Sequence, residues 1–106
     1  IPKKEAAARV YQAAMVVFEK LIKSGDPTGT RRAGLANVLV NYALQRDQIR
    51  DGSEVESWYQ RANHLIDEAL EVSPNSAQFK IEKAAFLDAY ARFLLLGQRY
   101  AESQVY

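Results

Sequence analysis

The chain has 106 residues, 48% apolar and 25% charged, the balance of one soluble globular domain rather than a disordered segment. Fourteen Lys and Arg face thirteen Asp and Glu, leaving a net charge of +1, which argues against a dedicated nucleic-acid binder with its cationic surplus. With no cysteine and a single histidine, disulfides, thiolate metal sites, thiol catalysis and a histidine cluster for zinc are excluded. No apolar run approaches the ~20 residues of a membrane helix and no signal peptide is visible, so the expected compartment is the cytoplasm. The chain opens with Ile1-Pro2 rather than Met, as expected for a piece of a longer protein.

In the first stretch, Tyr11, Ala14, Met15, Phe18, Leu21 and Ile22 recur at three- and four-residue steps. This predicts a helix near residues 3–23, with Pro2 suited to its first turn. Gly25-Asp26-Pro27 and Gly29 break the pattern, and Asp26, Thr28 and Thr30 compete to cap the next helix. Leu35, Val38, Leu39, Tyr42 and Ala43 carry that helix near 30–49. After Asp51-Gly52, Ser53 and Glu56 have the spacing of a capping box. Trp58, Ala62, Leu65, Ile66, Ala69 and Leu70 mark a third helix near 54–72. Pro74 cannot continue it, and Asn75 or Ser76 is placed to cap a fourth near 76–96. Phe79, Phe86, Leu87, Tyr90, Phe93 and Leu94 form the fourth stripe, with Ala84, Ala89 and Ala91 widening it. Gly97 is expected to end that helix in a left-handed conformation, and Tyr100–Tyr106 to begin a fifth. The expected class is all-α: four long helices and a partial fifth.

These helices repeat. Val10-Tyr11-Gln12-Ala13-Ala14 lies 48 positions before Trp58-Tyr59-Gln60-Arg61-Ala62. At the same offset Val17 matches Leu65, Phe18 matches Ile66 and Ile22 matches Leu70. Ala36, Leu39, Tyr42 and Ala43 match Ala84, Leu87, Tyr90 and Ala91. A period shared by both helices of a pair is the signature of a helical-repeat array.

Leu87, Tyr90, Ala91 and Leu94 have the first-helix spacing of a tetratricopeptide repeat, and Tyr100, Glu102 and Ser103 continue into a following helix. Ala62, Ile66, Ala69 and Pro74 fit its second helix, with Ala14, Phe18 and Leu21 a looser copy. The chain therefore resembles that family over nearly its whole length, with 48 residues per repeat against the family's 34. The excess falls in the turn around Arg50–Ser53 and before Ala36 and Ala84. Long repeats of this kind are similar to the C-terminal arrays of large bacterial signalling proteins, including kinases and nucleotide-switch ATPases. The resemblance implies antiparallel helix pairs in a right-handed α-solenoid: a half repeat at 1–27, a full repeat at 28–75, and a half repeat with its stub at 76–106. Half repeats leave apolar surface uncovered at both ends, a route to homo-oligomers.

Candidate chemistry is sparse. His64 with Glu68 makes a poor metal pair, and packing or exposure explains it better. Glu54, Glu56, Asp67, Glu68 and Glu71 read as the outer faces of amphipathic helices rather than as acid–base pairs. No Gly-x-Ser-x-Gly occurs, and no Lys-Ser/Thr follows Gly25 and Gly29 as a phosphate loop requires. Arg31, Arg32, Arg46 and Arg50 form a basic stripe, but Asp47 and Asp51 interleave with it. Phe79, Phe86, Tyr90 and Phe93 at helical spacing read as core. No catalytic residue, cofactor or metal is expected, and the chain reads as a non-enzyme.

The resemblance further implies that the first helices line a groove for an extended peptide or a partner's helix. Carried over residue by residue, this names Asn37, Val40, Asn41, Leu44 and Gln48 on the second helix, and Ala85, Asp88, Ala89 and Arg92 on the fourth. Asn side chains can bond a peptide backbone as donor and acceptor, and Arg92 can pair with a carboxylate or with Asp88 one turn away. The basic clamp some members use for a C-terminal carboxylate is not supported at Val40, Ala85 and Asp88. The expected function is a protein-interaction scaffold with a protein or peptide partner, and neither nucleic acid nor membrane. The alternatives are a regulatory or oligomerisation segment of a larger signalling enzyme and a small nucleic-acid-binding helical domain.

Overall fold

The computed structural model describes residues 3–105; Ile1, Pro2 and Tyr106 lie outside the described residues, and with them the role expected of Pro2. Four helices and no strand occur among the described residues: α1 Lys3–Lys23, α2 Thr30–Gln45, α3 Gly52–Val72 and α4 Ala77–Val105. Four of their boundaries differ from the sequence expectation: the end of α2, the start of α3 and both ends of α4.

The first turn forms through Asp26 and Arg31. Gly25, at φ 122°, reverses the chain after α1, and the Arg31 guanidinium donates to the carbonyls of Leu21 and Gly25, both at 2.7 Å. These carbonyls have no helical partner of their own. The Asp26 carboxylate accepts the free N–H groups of Arg31 and Arg32 at 3.0 and 2.9 Å. Partial burial opposes ionisation of Asp26, but these N–H groups and the Arg32 guanidinium outweigh it and hold its carboxyl below the ordinary value. Asp26 thus performs the capping chemistry from three residues outside the helix, while Gly29 occupies the cap position at φ 82°. A Cβ there would stand 2.9 Å from the Ala69 backbone of α3, so only glycine lets this turn lie against α3.

α2 stops at Gln45, short of the expected 49. Arg46 is extended, and the Asp47 carboxylate accepts the N–H groups of Ile49 and Arg50 at 3.1 and 2.9 Å. A short acceptor folding back on its own backbone competes with the helix and wins here. The expected Ser53–Glu56 capping box does not form. α3 begins two residues before the expected 54, at Gly52, and Glu56 instead accepts the Tyr90 hydroxyl at 3.0 Å. Asp51, at the cap, has no side-chain capping bond and pairs with Arg46 and Arg50.

At α4, Ser76 caps as expected, accepting the Phe79 N–H at 3.1 Å. Among the described residues there is neither a stop at Gly97 nor a fifth helix: α4 runs through Gly97 and is 29 residues long. Gly97 has no positive φ. A mid-helix glycine costs about 1 kcal/mol relative to alanine, and the Leu94–Leu96 run and Gln98–Glu102 on either side outweigh it. Where α2 has the acceptor Asp47, the repeat places Leu95 in α4, which offers the backbone no alternative partner.

Each helix packs on the next, and α2 also meets α4. α1 and α3 meet through the Glu19–Arg61 ion pair at 2.8 Å. The whole measures 51 × 35 × 17 Å. The main core lies along α2 and α3, where Leu35, Ala36, Leu39 and Ala43 meet Val55, Tyr59, Ala62, Leu65 and Ile66, with Phe86 and Phe93 from α4. The small residues permit helix approach to about 8–10 Å. Gly34 does the same for α1, since a Cβ there would stand 2.5 Å from the Phe18 ring.

Two tyrosine pairs 48 residues apart lie in contact, the first tilted at 58° and the second stacked at 13°. Tyr11 and Tyr42 join α1 to α2 with ring centroids 5.9 Å apart, and Tyr59 and Tyr90 join α3 to α4 at 5.4 Å. Gln12 donates to the Tyr42 hydroxyl at 3.2 Å, and Gln60 is the corresponding neighbour of the Tyr90 hydroxyl.

Candidate partner-binding groove

A trench runs between α2 and α4 as three adjoining concavities. The middle one, about 230 Å³, is lined by Asn37, Val40, Asn41 and Leu44 of α2, Ile66 of α3, and Glu82, Ala85, Phe86 and Ala89 of α4. Asn37 and Glu82 also border a larger concavity of about 470 Å³ near Thr30, Ser76, Gln78 and Phe79. Leu44 and Ala89 continue into a third, of about 490 Å³, lined by Gln48, Asp88, Arg92, Leu95, Leu96 and Arg99. All seven named groove residues, with Ala85 and Ala89, thus line one continuous feature.

Its shape follows from helix periodicity. Asn37, Val40, Asn41, Leu44 and Gln48 are spaced at three and four along α2, as are Ala85, Asp88, Ala89 and Arg92 along α4, so each set forms one stripe. Alanines on the α4 wall leave the room that larger side chains would fill. Asn37, Asn41, Leu44, Asp88 and Arg92 are exposed, while Val40 and Gln48 are half-buried.

The polar groups grade along the trench. In the middle, the Glu82 Oε2 is shielded from solvent and has no hydrogen-bond partner within the protein, while its Oε1 accepts from Gln78 at 3.0 Å. At the far end Arg92 pairs with Asp88 at 3.2 Å, both well exposed, a pair worth about 0.3–0.5 kcal/mol and easily exchanged. Arg99 stands beside them. The sequence reads Phe86 as core only and does not single out Glu82, Leu95 and Arg99, although Glu82 and Arg99 extend the α4 stripe by three residues before Ala85 and seven after Arg92.

The other motifs have structural partners. Arg31 closes α1, Arg32 pairs with Asp26 and Glu68 at 3.2 and 3.3 Å, and Arg46 and Arg50 both pair with Asp51. Phe79, Phe86 and Phe93 are buried, and His64 is exposed. Among the described residues, no group of three or more acidic or histidine side chains gathers as a metal site would, and no helix is long and apolar enough to cross a membrane. The chain matches no known family model, no curated protein and no solved structure at a significant level.

Proposed function

We propose that this chain is a non-enzymatic protein-interaction module that holds an extended peptide or partner helix in the α2–α4 trench. The observation carrying this reading is the trench itself. Its apolar middle is floored by Ile66 and Phe86 and walled by the Asn37 and Asn41 carboxamides, the mix of shape-selecting surface and few convergent polar groups that ligand grooves use. The unpartnered Glu82 oxygen is suited to a backbone N–H or a basic side chain, and Arg92 with Arg99 to an acidic one. The preferred ligand is therefore an apolar-centred segment, basic at one end and acidic at the other. The resemblance to tetratricopeptide repeats supports the same face.

Peptides selected from a displayed library against the intact chain test this. Ala85→Trp fills the middle concavity and is expected to weaken the selected peptides more than tenfold, with Asn41→Ala and Arg92→Ala giving smaller losses. Glu71→Ala, on the exposed side of α3, is the control. Peptides that bind all four variants alike would remove the groove reading. A second reading, a regulatory or oligomerisation segment of a larger signalling protein, is favoured by the half-exposed apolar side chains of α1 and α4.

A further inference from the structure

α1 and α4 each carry a bare apolar face: Val10, Val17 and Leu21 on α1 are 69%, 57% and 37% exposed, and Leu87 and Leu94 on α4 are 51% and 48% exposed. These faces are repeat copies of the two surfaces that meet inside the molecule. Trp58, Leu65 and Ala69 of α3 lie 48 positions after Val10, Val17 and Leu21. Ala36, Leu39 and Ala43 of α2 lie 48 positions before Ala84, Leu87 and Ala91. In the interior these α2 and α3 residues are buried or half-buried, with Tyr42 on Trp58 at 4.6 Å and Gly29 against Ala69.

We propose that α1 of one copy docks on α4 of a second copy of this chain, reproducing between molecules the packing of α3 on α2 within one. The α4 face repeats the α2 residues, with Ala84, Leu87 and Ala91 in place of Ala36, Leu39 and Ala43, while Val10 and Val17 take the places of Trp58 and Leu65. Ala77 and Leu21 stand where Gly29 and Ala69 meet, so the helices lie further apart at that end. The contact is heterologous, so it joins copies head to tail. A single helix-on-helix contact is small, at or below the ~1,200 Å² under which association is transient. One polar contact changes sign: the counterparts of Arg32 and Glu68, which pair at 3.3 Å, are Lys80 and Lys20. Salt screens such repulsion, and the complex is expected to tighten as ionic strength rises.

Sedimentation velocity of the full chain from micromolar to near-millimolar concentration tests this. The wild type is expected to shift progressively toward higher mass. Val10→Glu/Val17→Glu removes one face and Leu87→Glu/Leu94→Glu the other, and each double variant alone is expected to stay monomeric. Mixed in equal amounts, the two variants retain one good face of each kind and are expected to form a 1:1 dimer that grows no further. All substituted side chains are exposed, and helical circular dichroism checks that the variants fold. A wild type monomeric throughout, either variant associating by itself, or failure of the mixture to dimerise would each overturn the proposal. Weakening with added salt would overturn the register.

Discussion

Leu39 on α2 and Leu87 on α4 lie 48 residues apart, yet Leu39 is fully buried and Leu87 is 51% exposed. The difference lies wholly in the neighbours: α2 has α1 on one side and α3 on the other, while α4 has α3 and the edge of α2. Sequence periodicity therefore specifies which face of a helix is apolar, and the number of flanking helices decides whether that face is covered. Substitution measures this directly in dilute solution. Leu39→Ala is expected to cost about 2–5 kcal/mol, the range for opening a cavity in a packed core. Leu87→Ala is expected to stay within about 0.5 kcal/mol, as at exposed sites. Urea midpoints at constant slope read both. Equal losses at the two sites would mean that α4 is covered in the monomer, and the contrast between centre and edge would fail.

The glycines sharpen the comparison at the backbone level. Gly29 sits in the central contact at positive φ with Ala69 2.9 Å from where a Cβ would be, whereas Gly97 lies on the bare stretch of α4 with nothing within 4 Å. Gly29→Ala combines left-handed strain with a backbone clash and is expected to destabilise by about 1–3 kcal/mol. Gly97→Ala is expected to stabilise by up to about 1 kcal/mol, because alanine loses less entropy in a helix. Thermal melts of the two variants, moving in opposite directions, check both. A loss of stability at Gly97 would show that α4 does not stay helical there in solution.

Much of this contrast was legible in the sequence, and the parts that were not have identifiable physics. The four helices, their apolar stripes and the two groove stripes follow from spacing, because helical periodicity is local. The ends of α2 and α4 do not. Gly97 and Gly29 look alike in sequence; one is a helix interior because leucines and good helix formers surround it, the other a turn because Asp26 and Arg31 bind across it. The Ser53–Glu56 pair satisfies the local capping rule, but Glu56 finds a tertiary partner in Tyr90. Asp26 was one of three competing caps, and only the fold shows its carboxylate reaching two N–H groups. Ile66 and Phe86, read from the sequence as core stripes alone, floor the trench where three helices converge, a meeting that no single-helix pattern encodes.

The tyrosines give the smallest and most discriminating comparison. Tyr59 lies 48 positions after Tyr11, but the Tyr59 side chain is fully buried among Phe86, Tyr90 and Phe93, and its hydroxyl has no partner within the protein. Burial pushes the ionisation of that phenol upward. A buried hydroxyl without a partner forfeits its bonds to water, so replacing it by an apolar atom of similar shape removes a penalty rather than a bond. Tyr59→Phe is therefore expected to leave stability unchanged or raise it by up to about 1 kcal/mol. Tyr11→Phe, at the half-buried copy, is expected to change it by less than about 0.5 kcal/mol. Tyr90→Phe breaks the bond to Glu56 and is expected to cost about 1 kcal/mol, which shows that the assay can detect a lost hydroxyl contact. A comparable loss at Tyr59 would mean that its hydroxyl holds a bridging water between α3 and α4. The second helix pair would then be sealed by a polar contact that the first pair lacks.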